Sequence, residues 1–443
     1  MKNLFILVLL LFPFFINGQV LSEKERSQIN DQILGERFDQ LLPVLMDRTG
    51  IDMWVLISRE YNEDPVLKTM LPSTWLNARR RTILVFYRDK DKNLVEKLAV
   101  ARYDIGEHIQ SAWNKEEQPD QWQALVKIIK DRDPAKIGIN KSDNFGIADG
   151  LVKTDHDAFL KALPATYKNR LISAEELAVG WIETRTLREM VIYSDLVNIT
   201  HDIIAEAFSS KVIKPGITTT DDVVWWMRQK VTDMGMETWF HPTVDIQRTN
   251  EALVDHITAF SGKDGDDVIL PGDLLHCDFG ITYLNLNTDC QQMAYVLKAG
   301  EEKAPDFLSE AFRKGNQLQD ILTSNFETGK PGNIILKKSL QEAKNAGLKP
   351  SIYTHPLGLY GHSAGPTIGM WDQQNGVPGT GDYPLYENTV YAIELNTEVE
   401  IPEWNKTVRI MLEEAGFWGE DGFRYVNDRQ RNLILIPSEK EAN

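Results

Sequence analysis

Two aspartates eleven residues apart, Asp278 and Asp289, stand in the stretch HCDFGITYLNLNTDCQ, residues 276–291. Each lies in a run with strand character, residues 274–283 and 286–296, and a short turn near Leu284-Asn285 separates the two runs. An antiparallel hairpin centred on that turn predicts the two carboxyls directly opposite each other on one face, within roughly 5 Å. Buried carboxylates that close do not both stay ionised without a counter-cation. The pair therefore asks for a shared proton or a metal ion, unless it is simply a solvated pair on a surface hairpin.

More groups of the same chemical kind follow. The segment THPLGLYGHSAGP, residues 354–366, carries His355 and His362 seven apart. VYAIELNTEV, residues 390–399, reads as a strand with Glu394 in an apolar setting, and VRIMLEEAGFW, residues 408–418, reads as another with Glu413 and Glu414. Singly each is weak, since a histidine among glycines is commonly structural and a strand glutamate can pair with Arg409. Jointly they give two Asp, one His and two Glu in strand contexts. Such an oxygen-rich set with one imidazole suits Mn²⁺, Co²⁺, Fe²⁺ or Zn²⁺, and four carboxylates balance two divalent cations better than one. A pair of cations roughly 3.5–4 Å apart can hold a bridging hydroxide and polarise a carbonyl, which is hydrolytic chemistry.

The elements that must position these groups are legible in outline. Residues 22–48 are helical in pattern; residues 52–58, 81–87, 96–102 and 136–140 read as strands, and 121–131 and 155–163 as helices. That alternation predicts a small α/β domain. Residues 173–184 read as a connecting helix and 188–209 as a long amphipathic one. Pro215-Gly216 breaks the chain, residues 218–222 cap a helix over 223–234, and two more helices fall at 306–328 and 334–346. At 443 residues and 42% apolar content the chain can fill two domains. A net charge of −17 disfavours nucleic acid and anionic membranes as partners. Residues 1–18, with Lys2 before an apolar run over 4–16, have the form of a cleavable signal peptide. Export to the periplasm or beyond is therefore expected, with no membrane attachment after cleavage. The only cysteines, Cys277 and Cys290, are expected opposed on the other hairpin face, reduced and buried.

These motifs resemble the pita-bread metallopeptidases, the superfamily of methionine aminopeptidase, aminopeptidase P, prolidase and creatinase. Asp278-Phe-Gly280 with Asp289, His355-Pro-Leu-Gly358 with His362, Tyr391-Ala-Ile-Glu394 and Leu412-Glu413-Glu414 match the family's motifs in order. Pro215-Gly-Ile-Thr218 and the pair Asn250 and His256 match two more, and the resemblance runs over residues 188–437. It implies an α+β fold with a C-terminal pita-bread catalytic domain, residues 188–443, behind a linker helix at 173–187. Residues 19–172 resemble, more weakly, the N-terminal α/β domain of creatinase and prolidase. It implies two divalent ions, Mn²⁺ foremost, held by Asp278, Asp289, His355, Glu394 and Glu413, with Glu413 bridging. Glu414 is the alternative to Glu413. Glu394 would shuttle the proton, and His256 and His362 would bind substrate and oxyanion. The implied activity is hydrolysis of Xaa-Pro bonds at peptide N-termini, in a homodimer. The alternatives are a creatinase-like hydrolase of a non-peptide C–N bond, or a silent binding protein. Thr354, Ser363, Leu395-Asn396 and Met411 depart from the family pattern. Met411 stands where prolidase-like enzymes tend to carry Arg, which puts substrate identity in doubt; Arg409 lies one step further along the same strand face.

Overall fold

The computed structural model describes residues 20–249 and 267–438. The leader-like segment, Asn250 and His256 lie outside the described residues.

The N-terminal domain is built on a six-stranded sheet. Its strand order is Gln110–Ser111, Leu94–Ala99, Arg81–Asp89, Met53–Arg59, Ile137–Ile139, Leu171–Ser173. The central strand Met53–Arg59 is apolar without a break from Met53 to Ile57 because both its faces are covered there. Trp54 and Leu56 pack with Phe38, Leu45 and Trp181 on one side. Met53, Val55 and Ile57 pack with Leu125, Ile129 and Phe159 on the other. The covering helices are Leu42–Thr49 and Glu175–Glu183 on the first face, Gln121–Arg132 and Lys153–Ala162 on the second.

Glu183, at the end of the Glu175–Glu183 helix, is fully buried beside the Tyr383 hydroxyl, which donates to it at 3.2 Å. Burial pushes its carboxyl up from 4.5 to about 8. A raised folded-state value means its favourable contribution is whole below pH 4.5 and is lost as pH climbs through about 8. Glu183→Gln is therefore expected to flatten that decline, gaining roughly 2–5 kcal/mol over the parent at pH 9. Denaturant titrations across pH 5–9 check it, and parallel profiles for the two proteins would contradict it.

The C-terminal domain holds three larger sheets besides the two-stranded hairpin of Thr282–Tyr283 and Leu286–Asn287. One runs Ile434–Ile436, Cys290–Val296, Leu274–Phe279, Thr243–Gln247; the second Lys349–Ile352, Leu395–Ile401, Lys406–Leu412; the third His355–Leu357, Thr389–Ala392, Ala415–Gly419, Gly422–Tyr425. Helices Leu187–Ala207 and Thr220–Asp233 cover the first, burying Tyr193, Ile204 and Met227 on Leu275 and Phe279. Helices Asp306–Thr323 and Gly332–Asn345 cover the second through Leu318, Ile335 and Leu336 against Ile352, Ile393 and Leu395. Capping boxes start the first pair, Thr186 with Glu189 and Thr219 with Asp222, as the polar residues before each apolar run predict.

The central hairpin forms with one correction. Leu284 and Asn285 both have positive φ, 51° and 60°, a two-residue turn that pairs Tyr283 with Leu286. That register continues to put Asp278 opposite Gln291, not opposite Asp289. The two aspartates are diagonal neighbours, two residues out of direct opposition. Side-chain direction alternates along a strand, so a shift of two keeps both on one face. The cysteines follow the same correction, with Cys277 opposite Gln292 and Cys290 opposite Phe279; both are buried free thiols.

Candidate active site

Three sheets bring their ends to one point. Asp278 comes from the penultimate position of the strand Leu274–Phe279, and Asp289 stands just before Cys290–Val296. Gly280, between them, is required by close packing. A Cβ there would collide with the Thr288 carbonyl oxygen and the Trp239 indole nitrogen. Glu413 follows the strand Lys406–Leu412 and bridges to Gln291, whose N–H donates to the Glu413 carbonyl at 2.9 Å. Leu395 pairs with Leu412, and the Ile393 N–H reaches the Glu414 carbonyl at 2.9 Å, so Glu394 falls opposite Glu413.

The side-chain donors of Asp278, Asp289 and Glu413 lie within 4.8 Å of one another, as do those of His355, Glu394 and Glu413. His355 Nε2 is 3.7 Å from both Asp289 Oδ2 and Glu413 Oε1. Glu413 therefore belongs to both triads, while Glu414 is turned to the reverse of the sheet. There it receives His201 Nε2 at 2.6 Å and the Gln292 side chain at 3.1 Å. The five sequence-predicted groups converge, and Glu413 rather than Glu414 faces the centre. His362 joins Asp289 and His355 within the same 4.8 Å reach, its ring edge-on to His355 at 4.8 Å.

Electrostatics say what such a cluster needs. Burial pushes the carboxyls of Asp278, Asp289, Glu394 and Glu413 up, and for the last three the neighbouring carboxylates push further. Burial, with His362 alongside, drives the His355 imidazole down to about 3, so it is neutral. Its Nδ1 lies 3.1 Å from the Pro356 carbonyl, an arrangement that puts the proton on Nδ1 and leaves the Nε2 lone pair facing the carboxyls. Asp278 Oδ1, Asp289 Oδ1, Glu413 Oε1 and His355 Nε2 are buried without a hydrogen-bond partner among the described residues. Buried polar atoms are rarely left so. Gathered as acceptors in the two triads, they fit divalent cations.

Several neighbours were not foreseen from the sequence. Gln291 donates from Nε2 to Glu394 Oε1 at 2.8 Å, and its Oε1 meets His276 Nε2 at 3.0 Å. Strand parity could have found both, since His276 and Gln291 are each two residues from an aspartate. Trp239, whose indole donates to the Thr288 carbonyl at 2.8 Å and lies 5.1 Å from the His362 ring, carries no such signal. The loop that holds His355 and His362 is pinned from both domains. Asn287 bonds twice to the Gly358 carbonyl, and the Tyr360 hydroxyl donates to Pro65 in the N-terminal domain at 2.8 Å. A cleft of about 760 Å³ runs between the domains, walled by Leu34 and Trp75 on one side and Trp239, Leu284 and His362 on the other.

A buried cage of four carboxyls and an imidazole, with His362 standing between it and the domain cleft, defines a metal-dependent hydrolase. Residues 193–414 match metallopeptidase family M24, and the chain belongs to that family, whose members bind divalent metals. The fold is that of several solved structures. An X-Pro aminopeptidase from Thermotoga maritima superposes with TM-score 0.61 at 17% identity, covering 88% of this chain and 99% of that one. An Xaa-Pro dipeptidase from Bacillus anthracis gives 0.54 at 16% identity over 92% and 99%. A prolidase from Pyrococcus furiosus gives 0.52 at 14% identity over 88% and 99%. No curated protein sequence matches the chain.

Proposed function

We propose that this metallopeptidase hydrolyses Xaa-Pro bonds at the N-terminus of peptides, with two divalent cations in the cage. The observation that carries the reading is the convergence of Asp278, Asp289, His355, Glu394 and Glu413 with unpartnered atoms facing inward. Two-domain relatives of this fold that act on Xaa-Pro bonds support the substrate class. The bound cations would supply a water acidified to a nucleophile and a polarised carbonyl. Glu394, steadied by Gln291, takes up the proton released in the attack and returns it to the leaving nitrogen. His362, edge-on to Trp239 and exposed to the cleft, donates to the oxygen that gains charge. The role of His256 as a second donor belongs to the same reading.

One sample tests it. Elemental analysis of the mature protein, with Mn²⁺ offered, is expected to give about two ions per chain. The same preparation should cleave an Xaa-Pro peptide and leave its Xaa-Ala counterpart largely intact. A protein that binds no metal, or that cleaves both peptides equally, refutes it.

A further inference from the structure

The face that carries the cage continues away from it in pairs. Beyond Glu394 and Glu413 come Asn396 opposite Met411, then Glu398 opposite Arg409. Leu395, Thr397, Val399 and Val408, Ile410, Leu412 are buried in the core, so the alternate residues share the other face, on which Met411 is buried while Asn396, Glu398 and Arg409 are partly exposed. The row next to the cage is uncharged, and the next row holds Lys349, Glu398 and Arg409, with Lys349 Nζ already donating to Glu400 at 2.8 Å. The backbone of Arg409 is fixed by one side chain: Gln247 Nε2 donates to the Arg409 carbonyl and the Arg409 N–H donates to Gln247 Oε1, both at 2.8 Å. Its guanidinium is less committed. Nη2 stands 3.7 Å from Glu398 Oε1, an ion pair too long for a hydrogen bond, and the buried Nε has no partner among the described residues. Arg409, Asn396, Glu398, Ser351 and Trp371 line a recess of about 500 Å³, with the Trp371 side chain 43% exposed.

We infer that Arg409 and Trp371 form a subsite for the C-terminal carboxylate and last side chain of a peptide longer than a dipeptide. The inference rests on the peptidase reading and sharpens its substrate class. Arg409 lies four residues from Glu413, ~13 Å along the strand at about 3.3 Å per residue. An extended peptide advances roughly 3.5 Å per residue, so a dipeptide's carboxylate stops beside Asn396 and Met411, where nothing charged receives it. Two or three residues beyond the cleaved bond bring the carboxylate within the arginine's reach. There it replaces the loose contact with Glu398 by a two-pronged one.

The test uses the full-length, Mn²⁺-loaded protein and the tetrapeptide Ala-Pro-Ala-Ala with a methyleneamine in place of its first peptide bond, as free acid and as C-terminal amide. Calorimetry should show the acid binding about tenfold tighter than the amide. Arg409→Gln should erase that preference, and Glu398→Gln should enlarge it by freeing the guanidinium. Equal affinities in the parent, a preference that survives Arg409→Gln, or no binding of either probe would each overturn the subsite. Hydrolysis of the unmodified peptide is followed in parallel. If nothing is cleaved while acid is still preferred over amide, the peptidase reading fails and the subsite stands.

Discussion

His355→Ala is expected to lower peptide hydrolysis by about a thousandfold or more and to cost the protein at least half its bound metal. The imidazole is the one uncharged donor in the cage, 3% exposed, with Nε2 at 3.7 Å from two of the carboxylates. Without it the remaining donors are four carboxyls whose charged forms burial already disfavours, so they hold a cation less firmly. A second reading comes from stability. Ligands that bind only the folded chain raise its unfolding temperature, so added Mn²⁺ should stabilise the parent and do little for the variant. Glu413→Gln should behave like His355→Ala. Glu414→Gln should keep the metal and lose stability instead, because Glu414 faces His201 and Gln292 on the reverse of the sheet. Full metal content and turnover in His355→Ala would remove the cage assignment altogether.

Much of this site is legible in the chain because strands have a period of two. Asp278 and Asp289 had to share a face once a turn was placed at Leu284-Asn285, and Glu394 and Glu413 sit at the ends of apolar runs that can only be sheet. The error of two in the hairpin register lies in the pairing drawn from the turn, not in the turn: a two-residue loop at Leu284-Asn285 pairs Tyr283 with Leu286 and hence Asp278 with Gln291. The turn falls where the sequence puts it, although both its residues have positive φ and Leu is an uncommon choice there. Because the error was even, it moved distances and left the face unchanged. Other features depend on contacts distant in sequence. Nothing local in Trp239 or Tyr360 says that one meets His362 and the other reaches Pro65. The same holds for Arg37, which sits in a π-helical turn, Arg37–Leu41, and looks like one more charge in a polar helix.

Arg37 is in fact the centre of the second large expected effect, Glu189→Ala. Arg37 is 2% exposed and donates from Nη1 to both Glu189 oxygens at 2.9 Å and to the Thr184 carbonyl at 3.0 Å, and from Nη2 to the Trp181 carbonyl. Arg185 Nη1 adds a contact to Glu189 at 3.3 Å. Burial pushes the Glu189 carboxyl up, but Arg185 and Arg37 outweigh it and hold it below its usual value. Burial lowers Arg37 to about 10, which leaves it charged at neutral pH. Alanine at 189 therefore strands two buried guanidinium groups and removes the carboxylate that caps the helix Leu187–Ala207. An uncompensated buried charge costs about 3–5 kcal/mol. The same helix carries Tyr193, whose hydroxyl donates to the Asn287 carbonyl, and Asn287 holds Gly358 in the His355 loop. Activity should thus fall with stability rather than after it. Calorimetry should find the unfolding temperature lowered by roughly 6–10 °C. Arg37→Met combined with Glu189→Ala should lose less than the sum of the single changes, since each removes a charge that the other strands. Strictly additive losses, or a single-variant loss below about 1 kcal/mol, would show the triad to be worth no more than a surface ion pair.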